Sequence, residues 1–180
     1  MVEASAPQSA GRPLEGVGHY LRDIIFGALD GVITTLAVIS GASGANLDPR
    51  IGVILGFANL VADGLSMGAS NYLGIKSELQ QTGQSIAIEM PWRHGLATAC
   101  AFALFGAIPL LAYLAPPLGG LTTFQIAIAL AVVALAVLGK FRARYMAKTT
   151  LRSVGEVVAI GIVASSAAYA IGAAVERITR

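Results

Sequence analysis

Four polar or sulfur-bearing side chains recur at every fourth position of one long apolar segment. They are Asn59, Asp63, Met67 and Asn71, all within residues 51–78. Positions four apart fall on nearly the same face of an α-helix, so these side chains form one stripe. Carboxylate and amide oxygens together with a thioether favour a borderline divalent ion such as Fe2+ or Mn2+. A carboxylate at membrane depth is costly, which makes Asp63 a candidate functional residue.

A second aspartate, Asp30, lies inside the preceding apolar segment. A short turn joins the two segments, and helices connected in this way are usually antiparallel neighbours. Asp30 and Asp63 are similarly far from the turn, so we expect both carboxylates at similar depth. Carboxylates also bind protons, so the exchange of a metal ion for protons is chemically available at such a pair.

Glycines accompany these polar residues at helical spacing. Gly27 and Gly31 lie beside Asp30, and Gly64 and Gly68 lie on the face next to the stripe. Small residues four apart allow another helix to approach closely. We therefore expect these four glycines to serve helix packing.

The polar stripe also has structural interpretations that the sequence leaves open. A membrane aspartate or asparagine can simply bond a neighbouring helix, which applies to Asp63 and more strongly to Asn59. A methionine in a membrane helix is usually a packing residue, and only its position on the stripe raises Met67 to a candidate ligand.

Residues near the ends of the segments are assigned simpler roles. We interpret Glu78, Glu89 and Met90 first as solvated loop residues, with the capture of metal at the cytoplasmic mouth as the alternative. His19 and His94 are far apart and lack the spacing of metal ligands, so both are interpreted as boundary residues.

The elements that must position these residues are membrane-spanning helices. Of the 180 residues, 56% are apolar and only 12% are charged, whereas globular proteins average about 25% charged residues. Apolar runs long enough to cross a bilayer predict helices at about 21–43, 51–78, 94–114, 121–139 and 154–176. The sequence therefore predicts an all-α integral membrane protein with one five-helix domain, 21–180. Residues 1–20 are polar, lack the apolar core of a signal peptide, and are expected to form a flexible cytoplasmic tail.

Basic residues are distributed unevenly between the two sides of the five predicted crossings. One side carries Arg12, Arg22, Lys76, Arg93, Lys140, Arg142, Arg144, Lys148 and Arg152, whereas the other carries Arg50, Arg177 and Arg180. The positive-inside rule then predicts a cytoplasmic N-terminus and a C-terminus that lies outside or in a lumen. The basic residues between 140 and 152 also suit contact with anionic lipid.

The segments FGALDGVITTLAVISG and ANLVADGLSMGASNYLGIKSE closely resemble the vacuolar iron transporter (VIT) family. The resemblance covers residues 22–78, and the five-helix layout extends it to the whole chain. It implies a transporter that moves ferrous iron, and often manganese, out of the cytosol in exchange for protons. It also implies a homodimer with the ion path on its two-fold axis, and a metal site formed by Asp30 and Met67.

The expected partners are a divalent metal ion as cargo, the lipid bilayer and a second copy of the chain. We expect no permanently bound cofactor and no nucleic acid, and both a bacterial inner membrane and an organelle membrane fit. The chain departs from plant and parasite members in two respects. They carry a glutamate-rich insert where this chain has only the connection 79–92, and a glutamate where it has Asn71.

Two other classes of protein remain open from the sequence. One is a membrane metal sensor or assembly subunit that does not transport. The other is an intramembrane aspartyl enzyme that uses the two aspartates as a general acid–base pair. Such enzymes carry a glycine-x-glycine-aspartate motif, whereas Asp63 follows Val61 and Ala62, so we expect no enzyme.

Overall fold

The computed structural model describes residues 20–83, 85–114, 121–145 and 149–179. Within these ranges the regular elements are all helical: α1 (Leu21–Gly44), α2 (Pro49–Thr82), α3 (Ile86–Glu89), α4 (Pro91–Leu110), α5 (Thr123–Tyr145) and α6 (Thr150–Thr179), with a 3-10 turn, Leu111–Leu114, continuing α4. Five of the described helices are long and apolar enough to cross a membrane, namely all except α3. The predicted fold class is confirmed.

Several sequence predictions concern residues outside these ranges. The expected flexible tail, except for its last residue, is one of them. His19 and three of the counted basic residues, Arg12, Lys148 and Arg180, are the others.

Helix α2 is longer than the apolar run that predicts it, because its caps lie outside that run. It begins at Pro49, where the side chain of Asp48 accepts a hydrogen bond from the backbone N–H of Arg50 at 2.8 Å. Asp at the N-cap and Pro at the first helical position are a favourable combination. The helix ends at Gly83, whose φ of 68° is left-handed and suits glycine.

The approximate span 21–43 agrees with α1 to within one residue, whereas several other helices extend beyond their predicted spans for a related reason. Apolarity marks the membrane-spanning part of a helix, whereas backbone hydrogen bonding continues into polar sequence. Helix α5 therefore extends to Tyr145 and α6 begins at Thr150. The predicted surface connection 79–92 contains the end of α2, the short α3 and the start of α4. Pro109 lies inside α4, two residues before the 3-10 turn begins at Leu111.

Helix α1 lies at the centre of the bundle and packs most extensively on α4 and α6. Ala28, Val32 and Leu36 of α1 form a core cluster with Leu135 of α5 and Val157 of α6.

Contacts at three levels establish the relative direction of the helices. Along α1, Ala42 lies beside Gly52 of α2, Asp30 interacts with Asp63, and Asp23 bonds Asn71. From the first contact to the third, the residue numbers rise along α2 and fall along α1. The two helices are therefore antiparallel, as predicted.

Helix α6 runs parallel to α1, since Ile33 lies near Gly161 and Gly41 lies near Ala168. We call the end of the bundle where α1 and α6 begin the basic end. Its basic residues in the described ranges are Arg22, Lys76, Arg93, Lys140, Arg142, Arg144 and Arg152, whereas the opposite end has Arg50 and Arg177.

Candidate functional site

Asp30 of α1 and Asp63 of α2 form a carboxylate pair in the middle of the bundle. They lie on neighbouring antiparallel helices, between the contact of Ala42 with Gly52 and that of Asp23 with Asn71, and both side chains are half-buried. Two like charges at this depth repel each other, and a bound cation or proton relieves that repulsion. The pair is therefore equipped to accept either a metal ion or a proton.

Asp30 and Asp63 have no third acidic, histidine or cysteine side chain beside them in the described part of the chain. Among the described residues, no group of three or more His, Cys, Asp or Glu side chains is arranged to hold a metal ion. The hydroxyl hydrogen of Thr34 does not bond to either carboxylate in this arrangement, because it is donated to the backbone oxygen of Asp30 at 2.9 Å. Further ligands would have to come from other atom types or from outside the chain.

The remaining two central members of the stripe differ in their surroundings. Met67 is half-buried and packs against a core cluster that includes Phe102 and Leu110. The side-chain nitrogen of Asn59 is buried and has no hydrogen-bond partner among the described residues. Such an unpartnered group costs about 1–3 kcal/mol, so a polar ligand or water beside Asn59 would be stabilising.

Asn71, the last member of the stripe, belongs to a separate network at the basic end. Its amide nitrogen donates to Asp23 Oδ1 at 2.9 Å and to Thr98 Oγ1 at 2.8 Å, with a longer bond of 3.3 Å to the backbone oxygen of His94. These bonds tie α1, α2 and α4 together. We call Asp23, Asn71, His94 and Thr98 the clamp.

His94 lies near the start of α4, consistent with its predicted position at a segment boundary, but the sequence did not predict that its side chain is buried in the bundle. Its side chain is buried, with 5% of the residue exposed, and its Nδ1 lies 2.5 Å from Oδ2 of Asp23, which is 3% exposed. A buried carboxylate needs a charged or hydrogen-bonding partner, and the imidazole provides one. Helix α4 begins at Pro91, before the predicted apolar run, and this places His94 within the bundle.

A polar vestibule opens beside the clamp. It is a cavity of about 260 Å³ lined by Arg22, Asp23, Ile75, Glu78, Leu79, Glu89 and His94. The structure thus brings Glu78 and Glu89 to one cavity, with Glu89 Oε1 lying 3.6 Å from His94 Nε2. Met90, assigned to the same group from sequence, is not among the lining residues and forms the left-handed turn between α3 and α4, with φ of 48°.

Glycines permit the close approach of α4 to both helices that carry the polar residues. A Cβ atom on Gly27 or Gly31 would collide with the backbone of α4, at Thr98 and Phe102 respectively. On α2, a Cβ at Gly68 would lie 2.8 Å from the backbone oxygen of Gly95, whereas one at Gly64 would make only ordinary contacts. All four glycines selected from sequence are buried.

Sequence reasoning missed the pairing of Asp23 with His94. Each residue is an ionisable group near the start of an apolar segment, and the five-helix topology places both segment starts at the same end. That combination was a usable signal. Thr98 had no signal beyond its helical spacing from His94.

The fold and its polar groups define an integral multi-pass membrane protein with ionisable side chains buried between α1, α2 and α4. The VIT family model matches residues 21–90 and 81–173, which together cover most of the chain. The chain belongs to the VIT family.

Individual relatives agree with this membership. The rice vacuolar iron transporter homolog 5 (Oryza sativa subsp. japonica) is 29% identical over 156 residues, which are 77% of this chain and 73% of the relative. The vacuolar iron transporter of Plasmodium berghei is 45% identical over 60 residues, and vacuolar iron transporter 1 of Arabidopsis thaliana is 43% identical over 61. These two matches cover about a third of this chain, but only 22% and 24% of the relatives.

Proposed function

We propose that this protein transports a divalent transition-metal ion, Fe2+ or Mn2+, out of the cytosol. The observation that carries the proposal is the presence of two half-buried carboxylates, Asp30 and Asp63, on neighbouring helices of a membrane-spanning bundle. Members of the family are named as iron transporters, which favours transport over the aspartyl-enzyme alternative. The metal is cargo, and no permanently bound cofactor is part of the proposal.

We further propose that two copies of the chain complete the ion path. Asp30 and Asp63 are only half-buried in one chain, and a carboxylate that faces hydrocarbon is strongly unfavourable. A second copy packed on this face would remove both carboxylates from lipid and would bring further ligands to the ion. Met67 and Asn59 lie on the same stripe of α2 and are the proposed additional ligands, with the thioether favouring Fe2+ or Mn2+ over Mg2+.

Protons are the proposed counter-ions. A carboxylate pair that has released a metal ion is left with two repelling charges, and protonation relieves that repulsion. The protonated, metal-free site could then become accessible to the cytosol again. Metal and protons would then alternate at Asp30 and Asp63.

The basic end is the proposed cytoplasmic side, because basic residues accumulate on the cytoplasmic side of membrane proteins. Under this orientation, the vestibule lined by Glu78 and Glu89 faces the cytosol. Its carboxylates would then attract cations beside the clamp.

The test is metal flux into liposomes that contain the purified protein. Fe2+ and Mn2+ are supplied separately, with and without a pH gradient, and internal pH is recorded with a dye. Asp30→Asn and Asp63→Asn remove the charges at nearly constant volume. Asp48→Asn is the matched control, because it removes a carboxylate in the turn outside the predicted spans and retains an N-cap residue.

The proposal requires metal flux that rises with the pH gradient, is lost in Asp30→Asn and persists in Asp48→Asn. Cross-linking of the same sample should recover a dimer. Metal binding without flux of either metal, from a folded dimer, would refute transport and favour the metal-sensor alternative. Flux that persists in both membrane variants would refute the proposed site alone.

A further inference from the structure

The arginines and lysines of α5 and α6 at the basic end differ in whether they have an acidic partner among the described residues. Arg142 and Arg152 both pair with Glu156, at 3.1 Å and 3.3 Å. Lys140 and Arg144 are exposed, and neither forms an ion pair with another residue in the described parts of the chain. Lys140 and Arg144, which are four positions apart on α5, are therefore the two basic side chains of this group available without an acidic partner in the described ranges.

The two available charges border a groove between α5 and α6. The groove has a volume of about 380 Å³ and is lined by Val137, Lys140, Phe141, Ala143, Arg144 and Thr150. Val137 and Phe141 provide an apolar floor on the side nearer the membrane centre. Phe141 also stacks at a tilt on Tyr145, with ring centroids 4.9 Å apart, and aromatic residues of this kind suit a membrane interface.

The start of α6 adds a third attractive feature for an anion. Thr150, which lines the groove, is the first residue of this 30-residue helix. The first N–H groups of a helix have no partner within it, and the helix dipole places partial positive charge there. Phosphate groups bind readily at such positions.

We propose that this groove binds the headgroup of an anionic phospholipid. Its phosphodiester lies between Lys140 and Arg144 near the start of α6, and the upper part of its acyl chains covers Val137 and Phe141. The apolar floor selects a lipid over a free phosphate ion, because a free ion would leave that surface uncovered. Arg142 and Arg152 contribute less, because they are not among the residues that line the groove and they share the carboxylate of Glu156, which offsets one of their two charges.

The experiment measures lipid retention by the full-length purified protein. Native mass spectrometry counts bound phosphatidylglycerol and phosphatidylcholine, and thermal unfolding records the stabilisation by each lipid. The test variant is K140Q/R144Q, and the matched control is K76Q/R93Q. The control also removes one lysine and one arginine at the basic end, from side chains that lie over the rings of Tyr72 and Trp92.

We expect the wild type to retain phosphatidylglycerol in preference to phosphatidylcholine. The loss of two basic contacts in K140Q/R144Q should weaken that retention about thirtyfold, whereas K76Q/R93Q should change it less than threefold. V137W keeps the charges but fills the groove, and it should also weaken retention. Glycerol phosphate at the same concentration should not compete.

Three results would overturn the proposal. Equal losses in the two double variants would indicate a diffuse surface charge in place of a defined groove. Unchanged retention in both K140Q/R144Q and V137W would remove the groove as the binding site. Competition by glycerol phosphate would identify a free-anion site.

Discussion

The buried pair of Asp23 and His94 predicts a large, non-additive effect on stability. Replacement of His94 by leucine keeps a similar volume but leaves the carboxylate of Asp23 buried without its imidazole partner. Leaving one member of a buried hydrogen-bonded pair without its partner typically costs about 1–3 kcal/mol, and more when that member is charged. We expect about 3 kcal/mol here, because Asn71 still donates to Asp23 at 2.9 Å. Arg22 adds little, since it is 3.9 Å away and its side chain is 82% exposed.

The double variant Asp23→Leu/His94→Leu should recover most of that loss. Replacing both members of a buried pair with apolar residues is often neutral. Asn71 would keep Thr98 Oγ1 and the backbone oxygen at position 94 as acceptors. The pair should therefore show a coupling energy of about 1.5 kcal/mol or more, within the range seen for residues in direct contact.

Reversible unfolding in mixed micelles gives the free energies for this double-mutant cycle. Far-UV circular dichroism follows the whole bundle, and fluorescence of the single tryptophan, Trp92, follows the start of α4. Glu89→Gln is the control, because Glu89 lies 3.6 Å from His94 at the partly exposed rim of the vestibule and should cost less than 1 kcal/mol. Additivity of Asp23→Leu and His94→Leu within about 0.5 kcal/mol would refute a coupled buried pair.

Three further predictions follow from local geometry. Gly31→Ala should destabilise the bundle and disturb its packing, because the new Cβ would collide with the backbone of Phe102. Gly74→Ala should stabilise α2 by up to about 1 kcal/mol, because a Cβ there would have nothing within 4 Å. Thermal unfolding compares the two variants. Asp48→Ala should cost about 0.5–2 kcal/mol by the same measurement, whereas Asp48→Asn should cost almost nothing. Asn59→Leu should raise stability by about 1–3 kcal/mol, because it removes a buried amide nitrogen without a partner. It should also lower metal flux in liposomes, because Asn59 is a proposed ligand of the ion. A destabilised variant would contradict the interpretation of this amide as unpartnered.

The sequence was sufficient for the fold class because the membrane imposes a simple rule. Every backbone polar group in hydrocarbon needs an internal partner, so each long apolar run must be a helix. The helix ends were not predictable by this rule, because they lie beyond the hydrocarbon. Asp48 and Pro49 are a typical N-cap and first residue of a helix, so they indicated where α2 begins. No comparably specific residue marked the end of α5 at Tyr145.

The carboxylate pair was predictable, but the clamp was missed, for a reason of sequence separation. Asp30 and Asp63 lie on helices joined by a short turn, so equal distances from that turn placed them together. Asp23 and His94 are 71 positions apart, and their contact depends on α4 packing closely against α1. That packing depends in turn on Gly27, whose missing side chain leaves room for the backbone of Thr98.

Helices α1 and α2 contribute to both the clamp and the carboxylate pair, yet the surroundings of the two sites differ. Asp23 is almost fully buried and has partners on α2 and α4, whereas Asp30 and Asp63 are half-buried and neither side chain forms a hydrogen bond or ion pair within the described residues. Helix α4 accounts for the difference at the clamp, because it supplies the imidazole of His94 and the hydroxyl of Thr98. One chain therefore satisfies its buried charge at the basic end and leaves the central pair unsatisfied. An unsatisfied pair at membrane depth is stable only with an added cation, a proton or a second copy of the chain, and this requirement underlies the transport proposal.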